Sequence, residues 1–292
     1  MNGPPKRLSS GLGAIEQPGR LTAAGNEKGG WVEAVLAHGA TIPAIGLGTW
    51  QLRGKRCVAA VVEALAAGYR HVDTAAIYDN EAEVGEGIRL SGVPRNRVFL
   101  ATKVWPDNLR DGALQRSAED SLKRLGTDDV DLLMIHWPSR RIPLAESIGA
   151  LNDALQRGLT RFIGVSNFDV ALLRDAAKLS AAPLVANQCE YHLNLDQDEI
   201  IGACRDCGTA FVSYSPLAKG NLDDPRVTAI ADRHRRTGAQ VVLRWHLQQG
   251  CAAIPKSGDP AHIRENIAVF DFELSPGEMA ALSSLRSQSR GG

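Results

Sequence analysis

Four side chains that can exchange protons follow predicted β-strands: Asp73, Tyr78, Lys103 and His136. In a parallel α/β protein the carboxyl ends of the strands meet on one face, so we expect these side chains to converge there. A free tyrosine is a poor acid near neutral pH because its pKa is about 10. A Lys103 ammonium close to Tyr78, and itself paired with Asp73, would favour the phenolate and make Tyr78 a usable donor. The four residues therefore predict a proton-donating site.

Short β-rich runs alternate with helical patterns through most of the chain. Runs of apolar residues within the strands imply burial on both faces. Glycines follow several helical patterns, where a helix is expected to stop: Gly68, Gly126, Gly158, Gly208 and Gly250. The clearest helical patterns are Lys55–Ala67, Glu81–Leu90, Arg110–Leu125 and Leu144–Gln156. The predicted strands are Ile45–Leu47, Arg70–Asp73, Val98–Lys103, Val130–His136, Phe162–Val165, Leu184–Gln188, Ala210–Tyr214 and Ala252–Ile254.

Eight strand–helix units in one chain predict an α/β protein with a (β/α)8 TIM barrel. An open doubly wound sheet is the alternative. Such a sheet normally carries a GxGxxG dinucleotide-binding motif after its first strand. Here the segment Gly46-Leu47-Gly48 is followed by Gln51 where the third glycine would stand. The sequence therefore favours the barrel.

The region before the barrel contains two different kinds of segment. Trp31–Ala37 and Thr41–Pro43 predict a β-hairpin, which could plug the amino-terminal end of the barrel. Residues 1–30 contain seven Gly and three Pro and lack the apolar run of a signal peptide. Their composition predicts a flexible, disordered leader. Residues 31–292 are then expected to form a single barrel domain.

The composition argues against several classes of partner. The formal net charge is zero, with 33 basic and 33 acidic side chains, so no nucleic-acid partner is expected. No apolar run approaches the length of about 18 residues that suggests a membrane span. The five cysteines are scattered, which suits a reduced, cytoplasmic protein. Cys204 and Cys207 have a CxxC spacing without a second pair, so we expect neither redox nor metal chemistry from them.

The later predicted strands end in groups suited to holding a nicotinamide nucleotide. Asn167 and Gln188 could hydrogen-bond a carboxamide, and Tyr214 could stack on its ring. Lys256 and Ser257 could bind a phosphate through one cation and one hydroxyl.

Together these motifs resemble the aldo-keto reductase superfamily, and the resemblance runs from about Trp31 to about Leu285. Within the superfamily the chain is similar to bacterial 2,5-diketo-gluconate reductase-like aldehyde reductases. The motifs are Asp73-Thr-Ala-Ala-Ile-Tyr78-Asp-Asn80-Glu81, Lys103-Val-Trp105, Asp131-Leu-Leu-Met-Ile-His136-Trp137-Pro138, Gly164-Val-Ser166-Asn167-Phe168, Asn187-Gln188, Tyr214-Ser215-Pro216-Leu217 and Ile254-Pro255-Lys256-Ser257.

The resemblance implies NADPH-dependent reduction of small aldehydes, ketones and keto-sugars, by a monomer and without a metal. Tyr78 would be the general acid, and Lys103, paired with Asp73, would lower its pKa. His136 would orient the substrate carbonyl. The implied cofactor contacts are Ser166, Asn167 and Gln188 for the carboxamide, Tyr214 for the ring, Ser215 and Leu217 for the pyrophosphate, Lys256 and Ser257 for the 2′-phosphate, and Glu265 and Asn266 for the adenine end. Trp50 and Trp105 match apolar walls of the substrate pocket, which Ile77 and Trp137 would extend.

The chain departs from the family pattern in two places. His262 stands where the family usually has Arg, and a mostly neutral imidazole lacks the permanent charge and fork of a guanidinium. Arg264 would point about 200° away from His262 on a helix. We therefore expect NADPH to be preferred over NADH, but with weaker discrimination. Only 18 residues follow Leu274, too few for a long closing loop, so an open pocket with broad aldehyde acceptance is expected.

Two alternative functions fit part of this residue set. Lys103 could instead form a Schiff base with a carbonyl substrate, but Tyr78 and the predicted phosphate site would then have no role. A binding or regulatory subunit could keep the fold and the cofactor and scarcely turn over, although the complete set of four residues argues against it. The histidines that lack such company are expected to be structural: His71, His192, His234 and His246.

Overall fold

The computed structural model describes residues 21–25, 31–217 and 222–288. The described residues begin with a three-stranded antiparallel sheet made of β1 (Leu21–Gly25), β2 (Trp31–Ala37) and β3 (Ala40–Pro43). The strands β2 and β3 form the predicted hairpin. Residues 21–25 lie within the predicted disordered leader and differ from that expectation, because they pair with the open edge of β2. The rest of the predicted leader lies outside the described residues.

Eight parallel strands in sequential order form the centre of the molecule. The six residues of β6 and the six of β7 are all buried, as the apolar runs predicted. The strands are β4 (Leu47–Gly48), β5 (His71–Asp73), β6 (Phe99–Val104), β7 (Val130–Ile135), β8 (Thr160–Ser166), β9 (Leu184–Glu190), β10 (Ala210–Tyr214) and β11 (Ala252–Ile254).

The sheet closes on itself where its first strand meets its last. Ile45 forms a parallel bridge with Ala253, and Gly48 forms one with Lys256. The Gly48 N–H donates to the Pro255 carbonyl at 3.1 Å. The predicted (β/α)8 TIM barrel is therefore confirmed, and the doubly wound alternative is wrong.

Helices cover the outside of the barrel between successive strands. The predicted helix Arg110–Leu125 begins instead at Ala113, because Gly112 adopts a left-handed conformation with φ of 72°. All five glycines that were predicted to end helices have positive φ. The helices are α1 (Gly54–Ala67), α2 (Glu81–Leu90), α3 (Ala113–Leu125), α4 (Leu144–Gln156), α5 (Val170–Leu179), α6 (Asp198–Asp206), α7 (Pro225–His234), α8 (Gly238–Gln248), α9 (Pro260–Ile267), α10 (Pro276–Ser283) and α11 (Leu285–Gln288).

The hairpin packs against the inside of the barrel. Val35 and Ile42 from the hairpin share one buried apolar cluster with Leu132, Met134 and Val212 from the strands. This cluster is separate from the larger core between the strands and the helices. The hairpin therefore closes the amino-terminal end of the barrel and leaves the carboxyl ends of the strands free for chemistry.

The described residues add three further findings. No helix among them is long and apolar enough to cross a membrane. They contain no group of three His, Cys, Asp or Glu side chains arranged to hold a metal ion. Cys204 and Cys207 lie at the end of α6 as free thiols, as do the other three cysteines.

Candidate active site

A buried ion pair lies at the centre of the carboxyl-end face. Lys103 from β6 donates to Asp73 Oδ1 from β5 at 2.5 Å and to the Thr74 carbonyl at 2.9 Å. Both charged side chains are almost fully buried, with 0% and 2% exposure. Burial lowers the pKa of Lys103, but the charges of Asp73 and Tyr78 and its hydrogen bonds to them outweigh burial and raise it overall. The ammonium therefore stays charged at neutral pH.

Tyr78 lies beside this ammonium, on a short 3-10 turn formed by Ala76–Tyr78. Lys103 Nζ is 5.2 Å from the centroid of the Tyr78 ring. Burial raises the pKa of Tyr78, while the charge of Lys103 and its hydrogen bond lower it and the charge of Asp73 raises it. Lys103 thus acts in the predicted direction, but the net pKa is raised because burial outweighs the ammonium. The phenol is therefore fully protonated at neutral pH.

The turn that carries Tyr78 is fixed by a buried asparagine. Asn80 donates to the carbonyls of Thr49 and Leu52 at 2.8 and 3.0 Å. It also accepts from the Thr74 hydroxyl at 2.9 Å. All its side-chain hydrogen bonds hold the loops around the phenol. Sequence reasoning gave Asn80 no role of its own, and the available signal was a short polar residue directly before helix α2.

The His136 imidazole lies at the end of β7 with aromatic rings on two sides. Its ring is 5.6 Å from that of Tyr78 and 5.2 Å from that of Trp105, both edge to face. Burial, and next the charge of Lys103, lower the pKa of His136 to about 3. Nδ1 is buried and has no hydrogen-bond partner among the described residues. The site therefore holds a neutral imidazole next to the phenol.

A chain of hydrogen bonds joins this group to the predicted carboxamide contacts. Gln188 from β9 donates from Nε2 to Asp73 Oδ2 at 2.7 Å, so this amide N–H is directed at the ion pair. Ser166 donates to the Gln188 carbonyl at 2.7 Å. Tyr214 donates from its hydroxyl to Asn167 Oδ1 at 2.9 Å. The four predicted residues therefore lie together beside the proton-donating group.

The predicted contacts to the phosphates and the adenine follow β10 and β11. Ser215 directly follows β10 with a φ of 53°, and Leu217 is partly buried. Lys256 is exposed and Ser257 is buried, with its hydroxyl accepting from the Asp259 N–H at 3.0 Å. The other predicted contacts lie on helix α9, and they are His262, Glu265 and Asn266.

Glu265 is held by Thr237, whose hydroxyl donates to Glu265 Oε1 at 2.5 Å. Asn266 is buried, whereas His262 is exposed. Arg264 forms an ion pair with Glu63 on α1. Arg264 is therefore engaged with a neighbouring helix.

The predicted apolar wall consists largely of exposed side chains, of which Ile77 directly precedes Tyr78 and Trp137 directly follows His136. Trp50, Ile77 and Trp137 are 54%, 49% and 43% exposed. Trp105 is less exposed and contacts the His136 ring. Large apolar side chains exposed at one rim are typical of a surface that meets a ligand.

The remaining predicted structural histidines have protein partners. His71 Nδ1 lies 3.2 Å from the Pro43 carbonyl, and His246 contacts two backbone carbonyls. His234 is paired with Glu278, and His192 with Glu190. These contacts fit the expected structural role.

The chain matches the model of the Aldo/keto reductase family over residues 44–287. It belongs to the aldo-keto reductase family. It is 41% identical to "Methylglyoxal reductase DkgB" of Salmonella typhi over 254 residues, covering 86% of this chain and 95% of that protein. The family membership makes the protein an oxidoreductase that acts on carbonyl compounds.

Solved structures of other aldo-keto reductases share the fold. A putative 2,5-diketo-D-gluconic acid reductase B is 48% identical with a TM-score of 0.85, covering 87% of this chain and 91% of that chain. A Bombyx mori aldo-keto reductase in complex with NADP is 34% identical with a TM-score of 0.79, covering 85% and 90%. The barrel described above is therefore the aldo-keto reductase barrel.

Proposed function

We propose that this aldo-keto reductase reduces small aldehydes and ketones with NADPH and that Tyr78 donates the proton. The observation that carries the proposal is the buried Lys103–Asp73 pair at 2.5 Å, with its ammonium 5.2 Å from the Tyr78 ring. When bound, the cofactor supplies the hydride that reduces the carbonyl carbon. The remaining chemistry is a proton transfer to the carbonyl oxygen, which belongs to the protein.

Tyr78 suits this transfer although burial raises its pKa. A protonated phenol is the form that a general acid needs, and the raised pKa keeps it protonated through neutral pH. The oxygen that develops on reduction is far more basic than a phenolate, so the transfer remains favourable. The Lys103 ammonium stabilises the phenolate that is left behind.

His136 is proposed to orient the carbonyl rather than to protonate it. With a pKa lowered to about 3, the imidazole is neutral and offers one N–H donor to an oxygen. A neutral ring next to Tyr78 adds no second positive charge to the site. The proton and the orienting hydrogen bond therefore come from two different side chains.

The residues along the rim fit a nicotinamide nucleotide. Tyr214 offers a partly exposed ring, and Asn167 and Ser166 offer amide and hydroxyl groups beside it. Lys256 offers an exposed ammonium that makes no ion pair within the described residues. We propose that these groups hold the carboxamide, the ring and the 2′-phosphate, with Ser215 and Leu217 at the pyrophosphate. Glu265 and Asn266 would lie at the adenine end.

We propose a preference for NADPH that is weaker than in relatives with arginine at the position of His262. An exposed imidazole gives a phosphate less charge and no bidentate contact. Replacing His262 by Arg should therefore raise the ratio of kcat/KM with NADPH to that with NADH. An unchanged ratio would show that this position does not set the preference.

The test of the function is loss of NADPH absorbance with a panel that includes methylglyoxal, a keto-sugar and simple aldehydes. The Tyr78→Phe variant should lose about 10²-fold or more in kcat while its affinity for NADPH changes little. Both proteins should be compared at equal occupancy by NADPH. Binding without turnover in the wild type would instead favour a regulatory subunit, and absence of binding would overturn the proposal.

We also propose that the protein acts as a monomer in the cytoplasm. All the side chains assigned above come from one chain, so the site needs no second copy. The five cysteines are free, which suits a reducing compartment. Analytical ultracentrifugation at working concentrations tests the first point, and a mass of twice that of the chain would contradict it.

A further inference from the structure

Helices α1 and α9 lie side by side next to the proposed phosphate site. Glu63 on α1 pairs with Arg264 on α9, and Tyr69 after α1 donates to the Ile263 carbonyl at 3.0 Å. The Glu63–Arg264 pair joins the carboxyl-terminal halves of the two helices. The amino-terminal ends of the two helices lie next to the loop that follows β11.

Arg56 occupies that position on the first turn of α1. A Cβ atom added to Gly258 would stand 2.5 Å from Arg56 Nε and 3.1 Å from both Cζ and Nη2. The guanidinium therefore packs on the backbone of Gly258, two residues beyond Lys256. Arg56 is exposed, and within the described residues it makes neither an ion pair nor a hydrogen bond. A guanidinium with unused donors thus lies against Gly258, which follows Lys256 by two residues in the loop after β11.

The negative charge in this loop is already engaged. Asp259 caps helix α9 by accepting from the N–H groups of Ala261 and His262 at 2.7 and 3.4 Å. These backbone hydrogen bonds lower the pKa of Asp259. The Asp259 carboxylate is thus directed at the helix end, and the Arg56 guanidinium remains available to an anion.

We propose that Arg56 binds the 2′-phosphate of NADPH together with Lys256 and so supplies a guanidinium from α1 where α9 carries only His262. The inference rests on the proposed function and assigns a residue that determines cofactor preference. A planar guanidinium beside an ammonium suits a phosphate monoester, because the two can contact different oxygens of the same group. The chain has no arginine at position 262, so its preference for NADPH over NADH then depends mainly on Arg56 and Lys256.

The test compares affinities for 2′,5′-ADP and 5′-AMP, which differ by the 2′-phosphate alone. The Arg56→Gln variant should bind 2′,5′-ADP about tenfold more weakly than the wild type, with 5′-AMP binding unchanged. Arg56→Lys should recover part of the loss, because it restores the charge without the fork. The unchanged affinity for 5′-AMP shows in the same experiment that the variant is folded.

Two further variants separate a local contact from general charge. Lys55→Gln removes the same charge one residue earlier, where the side chain points about 100° away on the helix, and should leave both affinities unchanged. Gly258→Ala should weaken 2′,5′-ADP binding without removing any charge, because the added methyl displaces the guanidinium. An equal loss in Lys55→Gln would overturn the assignment by showing that only long-range charge matters.

The outcomes distinguish this inference from the function on which it rests. If the wild type prefers 2′,5′-ADP and turns over NADPH, but Arg56→Gln keeps the full preference, the assignment of Arg56 is wrong and the proposed function stands. If the wild type binds neither NADPH nor 2′,5′-ADP, both are overturned. A selective loss in Arg56→Gln and Gly258→Ala supports both.

Discussion

Replacing Lys103 by Met should destabilise the barrel mainly by leaving the Asp73 carboxylate buried and unpaired. In the native protein this carboxylate accepts from Lys103 at 2.5 Å and from Gln188 at 2.7 Å. The variant keeps only the neutral amide contact, and the Thr74 carbonyl loses its donor. Methionine has a similar length to lysine and can fill the same space, so the change removes charge with little change in volume.

The expected magnitude follows from the burial of the pair. Breaking a fully buried ion pair by removing one partner typically costs about 3–5 kcal/mol of the free energy of unfolding. Both side chains here are nearly inaccessible, so solvent cannot screen the remaining charge. Native domains have only about 5–15 kcal/mol in total, so the variant should fold but unfold at clearly lower urea concentration.

The assay is urea unfolding of the wild type, Lys103→Met, Asp73→Asn and the double variant. Each single change leaves one charge unpaired, whereas the double change removes both. The double variant should therefore be more stable than the sum of the two single effects predicts, by about 2–3 kcal/mol. Additive effects of the two single changes would refute the reasoning.

Three further predictions concern the surroundings of the site. Between about pH 6.5 and pH 3 the folded state holds His136 neutral while the unfolded state protonates it, so the free energy of unfolding falls as the pH falls. In His136→Gln the free energy of unfolding should change with pH less steeply, by about 1.4 kcal/mol per pH unit. Urea unfolding at several pH values measures this, and the same dependence on pH in the variant and the wild type would contradict it. Asn80→Ala should lower the free energy of unfolding by about 2–4 kcal/mol and reduce kcat, because two buried carbonyls lose their donors next to the turn that carries Tyr78. A normal kcat in a destabilised variant would show that this turn does not need Asn80. Deleting residues 1–30 removes β1 at the opposite end of the barrel and should leave kcat/KM within about twofold of the wild type, whereas a large loss in steady-state assays would give this segment a role in the site.

The barrel could be predicted from the sequence because its signals are local. The segment Leu132–Ile135 of β7 is a continuous apolar run, and a glycine with positive φ ends the preceding helix at Gly126. Asp73 and Lys103 could be placed on one face because both lie at carboxyl ends of neighbouring strands. Their meeting follows from strand order alone, without knowledge of any loop.

Other features depend on contacts between distant segments and left no local signal. The strand β1 has no alternating pattern and exists because the edge of β2 is free to pair with it. Gln188 contacts Asp73 across 115 residues of sequence, so its second role could not be read from its own strand. Arg56 approaches Gly258 only because α1 and α9 are neighbours in the closed barrel. Burial of Tyr78 likewise depends on the whole site, and it reverses the net direction of the expected pKa shift.

The Lys103 ammonium gives the two neighbouring rings their different roles. Its positive charge lowers the pKa of His136, in addition to burial, and it is the main influence that opposes burial at Tyr78. Burial and this cation together keep the imidazole neutral, and the cation favours the phenolate that Tyr78 leaves after giving up its proton. Asp73 keeps this cation charged inside the protein. Loss of Lys103 should consequently impair proton donation even in the double variant with Asp73→Asn, in which stability is partly restored. Recovery of kcat along with stability in that variant would show that the ion pair serves the fold and not the proton transfer.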